Sequence, residues 1–77
     1  MIRFNTETGS SYEVDTEKKQ IRRVMGTHAP TPNQGNDKEW RSYHWISDIE
    51  LRRPVLIAWD AKGKATETSF VTIISEE

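Results

Sequence analysis

Apolar side chains recur at every second position along much of this chain. Ile2 and Phe4 alternate with polar residues, as do Tyr12 and Val14, Tyr43 and Trp45, and Ile49 and Leu51. A period of two belongs to a pleated strand with one face buried, because successive side chains point to opposite sides. No segment carries a sustained stripe at about 3.6 residues with a cap at its start, so no long helix is predicted. The pattern predicts a first strand from Ile2 to Thr6, ended by Gly9 and Ser10. A second strand runs from Ser11 to Asp15. The polar stretch Thr16, Glu17, Lys18, Lys19 turns the chain, and Gln20 to Met25 returns as the third. Arg22 and Arg23 sit between Ile21 and Val24. One of them is expected to point outward and the other to lie along a rim.

The pattern stops at Gly26. From 26 to 38 the chain holds Pro30, Pro32, Gly26 and Gly35 and no large apolar residue. Proline removes ladder donors and glycine favours turns, so this stretch is expected to be a long Pro/Gly loop. Connections of that length in a small domain tend to be functional or mobile. Alternation resumes over 40–46, with a possible continuation over 48–51 after a bend at Ser47. Tyr43 and Trp45 are expected to share one face of that strand, with Trp40 on the other. Val55, Leu56, Ile57, Ala58 and Trp59 form an unbroken apolar run, which predicts a strand covered on both sides or at a barrel centre. Asp60 to Lys64 reads as a glycine-containing turn. The last strand is expected over 66–75, rich in Thr, Val and Ile.

Five or six short strands in 77 residues fit one domain, 1–77, and an all-β fold. Closure removes exposed edges, so a small five- to six-stranded barrel, SH3-like, is the first expectation. An OB-like barrel or a small β-sandwich is the alternative. Composition modifies this only in part. The hydrophobic fraction of 34% is low and 30% of residues are charged, but three Trp, two Tyr and two Phe lie within β-branched clusters. Large rings allow a small core to bury much area with few residues. Cysteine is absent, so neither disulfides nor thiolate metal sites brace the fold. No apolar run is long enough for a membrane span, and the first residues carry no signal-peptide pattern. A cytoplasmic setting is therefore expected.

The residues Gly9-Ser10-Ser11-Tyr12-Glu13-Val14-Asp15, Ile21-Arg22-Arg23, Glu39-Trp40-Arg41-Ser42-Tyr43, the stretch 54–59, and Thr68-Ser69-Phe70-Val71-Thr72-Ile73 follow one another in a telling order. That order resembles small uncharacterised proteins of bacteriophages infecting actinobacteria, over nearly the whole chain. The resemblance implies a phage product made in the host cytoplasm, acting on a host protein or serving as a minor virion component. It supplies no catalytic residues.

Chemistry is sparsely represented. His28 and His44, with Asp37 or Asp48, lack the close ligand spacing of zinc sites. There is no Gly-x-Ser-x-Gly elbow, no phosphate-cradling glycine loop and no evident carboxylate pair. No enzyme activity, cofactor, metal or small-molecule substrate is expected. Binding is. Trp40, Arg41, Tyr43, His44 and Trp45 interleave rings with positive groups, and Arg22, Arg23, Arg52, Arg53, Lys62 and Lys64 could add a basic side. That combination suits single-stranded or duplex nucleic acid. A formal net charge of −1 argues against it, because phosphate contacts supply most non-specific affinity. Trp, Tyr and Arg are also the residues enriched at protein hot spots. A host or phage protein is therefore the favoured partner. The candidate interaction residues are Arg22, Arg23, His28, Pro30, Pro32, Trp40, Arg41, His44, Arg52 and Arg53. Edge strands left by incomplete closure would favour a homo-oligomer.

Overall fold

In the computed structural model, residues 1–26 and 38–76 are described, and all of their regular structure is β. The strands are β1 (Ile2–Thr6), β2 (Ser11–Asp15), β3 (Gln20–Met25), β4 (Arg41–Ser42), β5 (Trp45–Ile46), β6 (Leu56–Ala58), β7 (Ala65–Glu67) and β8 (Val71–Glu76). The expected loop over 26–38 falls largely on residues 27–37, which lie outside the described residues, as do His28, Pro30 and Pro32.

The first three strands form where local chemistry alone predicts them. Between β1 and β2, Gly9 takes φ 91° and donates its N–H to the Thr6 carbonyl at 3.0 Å. That left-handed conformation costs glycine little. Between β2 and β3, Asp15 Oδ1 accepts the Lys18 N–H at 3.2 Å, and Lys19 closes the turn at φ 51°. Between β6 and β7, Asp60 Oδ1 accepts from the Lys62 and Lys64 amides at 2.9 and 3.2 Å, and Gly63 sits at φ 101°. An aspartate bonding the backbone two residues on is the turn-forming role of that side chain.

Two antiparallel sheets result, in the orders β4-β3-β2-β1-β8 and β5-β6-β7. The all-β expectation holds. The closed barrel does not form. The chain over 41–47 serves both sheets in turn. The Tyr43 N–H donates to Lys19, the turn residue that precedes β3 of the first sheet, and the His44 N–H donates to Ala58 of β6 in the second. One strand thus bends and changes sheet between adjacent residues. On the other side, Thr68, Ser69 and Phe70 separate β7 from β8 and no ladder joins the two strands. The contact there is narrower: Arg52 N–H donates to the Val71 carbonyl at 2.8 Å, and Val71 N–H donates to the Arg53 carbonyl at 3.0 Å.

The core fills the space between the sheets. Phe4, Tyr12, Val14, Ile21 and Val71 come from the five-stranded sheet, Ile57 from the other with Val55 just before its strand, and Tyr43 from the chain that links them. The rings of Phe4 and Tyr12 stack at 5.0 Å. Trp59 packs against the cluster and donates its Nε1–H to Thr66 Oγ1 at 2.9 Å, so its polar edge is satisfied.

Three expectations change. The run 55–59 is covered on one side only: Val55 and Ile57 are buried while Leu56 is exposed. Tyr43 and Trp45 do not share a face. Tyr43 is buried and Trp45 is 52% exposed, because the change of sheet between them breaks the period. The single strand expected over 66–75 is two strands, β7 and β8, in different sheets.

Candidate binding surface

Pairing in the five-stranded sheet brings one row of charges onto its outer face. Arg3 lies opposite Glu13, and Glu13 opposite Arg22. Glu13 is buried by its neighbours. It accepts from Arg3 Nη2 at 2.7 Å through one carboxylate oxygen, and from Arg22 Nε at 2.8 Å through the other. The hydrogen bond from Arg3 is the chief cause that holds the Glu13 carboxyl below its ordinary range. Burial opposes it, and Arg22 adds to it. The register of β3 with β4, continued by one pair, sets Trp40 opposite Arg22, and the guanidinium lies 4.6 Å from the ring centre. Arg41 sits on the other face of the same strand pair, 5.9 Å from the Trp59 ring. Both distances are in the cation–π range.

The candidate residues therefore divide. Arg22 and Trp40 engage each other and Glu13. Arg41 covers Trp59. Arg23, opposite Tyr12, is buried at 5% exposure, so it lies inward and not on a rim. Its guanidinium fills the space beside Gly26, where an added Cβ would come within 2.6 Å of it. His44 is exposed at the change of sheet. Arg52 and Arg53 are exposed in the connection that holds Val71, with Arg52 at φ 66°. Arg53 pairs with Glu50 at 3.2 Å. These groups do not form one patch. Strict alternation from Ile21 carries the inward position of Arg23, since the two residues are two apart.

A different surface gathers the concave shape. A groove of about 400 Å³ is lined by Trp45, Ile46, Ser47, Asp48, Glu50, Arg53 and Pro54. A second, of about 300 Å³, lies across Ile46–Asp48 and is lined by Ile2, Thr16, Ile46, Ser47, Asp48, Ile49, Ile74 and Glu76. Ser47 anchors the wall between them: its N–H donates to the Leu56 carbonyl, and its Oγ accepts the Leu56 N–H, both at 2.9 Å. The first groove has Trp45 and Pro54 as apolar walls and Asp48 as its acid beside the Glu50–Arg53 pair. Among the described residues of the ten candidates chosen from the sequence, only Arg53 belongs to it, while Trp45, named there within the ring-rich strand, was not one of the ten. The signal for the rest was the exposure of Trp45, which depends on the change of sheet.

Among the described residues, no three His, Cys, Asp or Glu side chains converge where a metal could be held, and no helix is long and apolar enough to cross a membrane. Fold and surface together define a small all-β domain of two antiparallel sheets with an aromatic-walled groove. Comparison with protein families, with curated proteins and with solved structures finds no match for this chain.

Proposed function

We propose that this chain is a non-enzymatic protein-interaction module that receives an extended segment of a host or phage protein in the Trp45 groove. The carrying observation is a large ring, half exposed, walling a cleft whose Ser47 side is fixed by two hydrogen bonds to the Leu56 backbone. Tryptophan is among the residues most enriched at hot spots, which cluster in well-packed pockets. Asp48 favours a segment that carries a cation beside its apolar anchor. A cytoplasmic accessory protein of a phage, built as an SH3-like module with a strand shared between sheets, fits this reading; so does a minor virion part.

Nucleic acid has less support. Of the rings and cations that suggested it, Arg22 and Trp40 engage each other, Arg41 lies over Trp59, and Glu13 pairs with Arg22. The test uses tagged protein to capture partners from infected and uninfected actinobacterial cells, with identification by mass spectrometry. Trp45→Ala should reduce capture of a discrete partner at least tenfold, and Trp40→Ala should leave it intact. Equal capture by wild type and Trp45→Ala, or retention of short oligonucleotides at low salt that fades as salt rises, would overturn the proposal.

A further inference from the structure

The strand β8 ends the five-stranded sheet, and it lacks most of the devices that keep such edges single. It pairs with β1 on one side. On its far side the connection through Arg52 and Arg53 covers Val71 alone, and no strand among the described residues covers Thr72–Glu76. Natural edges are blunted by lysine, proline, a bulge or a covering loop. Here the register shift falls at the Val71 end, between the Asn5 and Thr6 pairs, and from Ile73 to Glu76 the ladder is regular. The segment carries no lysine and no proline, while Ile73 is 55% and Ile74 37% exposed. A flat edge with two exposed isoleucines is a template for another strand.

We infer that the occupant is a second copy of this chain, with β8 pairing antiparallel to β8 about a two-fold axis through Ile74. Among the described residues, the part of β8 with no strand on its far side is Thr72–Glu76, with Ile74 as its midpoint, so this register pairs that stretch with itself. Ile73 falls opposite Ser75, and Thr72 opposite Glu76. The axis runs normal to the sheet, so each residue meets one on its own face. Ile74 meets its counterpart at the axis, beside the apolar groove lined by Ile2, Ile46 and Ile49. Charge selects the direction. Parallel alignment would set Glu76 against Glu76. The antiparallel register instead carries each Glu76 to the end of the other strand, where Arg52 is bonded through its backbone to Val71. The Arg52–Arg53 segment already occupies the edge at Val71, so pairing stops there, and of the registers left the one centred on Ile74 pairs the most residues of β8. The interface is isologous and closes at two copies. None of the residues lining the Trp45 groove lies on β8.

The test is the mass of the full chain in solution by sedimentation equilibrium and native mass spectrometry, over a concentration series. A dimer is expected, with slowed amide exchange over 72–76 that is lost on dilution. Glu76→Arg should weaken dimerisation about tenfold, and Arg52→Asp added to it should restore most of the loss. Aspartate tolerates the left-handed backbone at that position better than most residues. Ile74→Lys should give a monomer; circular dichroism checks that it folds, and the charge-swap pair carries the test if it does not. A wild-type chain that stays monomeric up to millimolar concentration overturns the inference. So does a dimer indifferent to Glu76→Arg, or one without protection over 72–76.

Discussion

Glu13 shows how a single side chain links sheet pairing to pH. It stands between Tyr12 and Val14, where alternation sends it to the outer face, and outer-face acids are usually solvated. Arg3 and Arg22 close over it from the flanking strands and leave it 5% exposed. A carboxylate in that position is stabilised by charge-assisted hydrogen bonds from two arginines that are themselves partly exposed. Glu13→Gln is expected to destabilise the fold by about 1–2 kcal/mol at neutral pH. The carboxyl's pKa is lower in the folded chain than in the unfolded one. Its contribution is therefore present above the ordinary value of 4.5 and is lost as pH falls through the lowered folded value. Urea midpoints of wild type and variant should lie furthest apart near neutrality and approach each other below that value. A gap unchanged across that range would mean that the charge is not what the site uses.

At the scale of elements, legibility follows how local the cause is. The bounds of β1, β2 and β3 match the pattern because each is flanked by its own turn chemistry: Gly9, then Asp15 with Lys19. The turn at Asp60–Lys64 is equally local. Gly63 tests this directly. An added Cβ there meets nothing within 4 Å, so the cost of Gly63→Ala is that of the backbone at φ 101° alone. About 1–2 kcal/mol is expected, read from thermal melting, with no change in partner capture. What alternation does not carry is the break between β4 and β5. Residues 40–46 read as one strand, and each half does pair; the bend depends on β3 and β6 arriving on either side, which no property of Tyr43 or His44 announces. The same holds for Trp45. Its place in the groove was illegible because its exposure is set by which sheet its neighbours join. The candidates chosen as arginines and rings fared differently: Arg22, Arg41 and Trp40 were legible as surface residues, but not as each other's partners.

For the molecule as a whole, the shared strand makes two small sheets one cooperative unit. A three-stranded sheet of two- and three-residue strands has little stability alone. Its Val55 and Ile57 are buried against Phe4, Val14 and Ile21 from the other sheet, so neither half keeps its core without the other. A chain of this size has a narrow margin. Tryptophan fluorescence and far-ultraviolet circular dichroism should therefore report the same urea midpoint in the wild type. His44 is the residue at which that coupling can be cut without touching the core. Its side chain is exposed, while its N–H donates to Ala58 at 2.8 Å, one residue after the Tyr43 N–H has donated to Lys19. His44→Ala keeps the backbone bond and should stay within about 0.5 kcal/mol of wild type. His44→Pro removes the donor where the chain passes from one sheet to the other, and should cost about 3 kcal/mol or more. In that variant the exchange of amides in β6 and β7 should accelerate more than that of β1 and β2, because the lost bond is made to Ala58 of β6 and the smaller sheet opens locally first. Equal acceleration throughout would place the coupling in the packed side chains and not in the strand that the two sheets share.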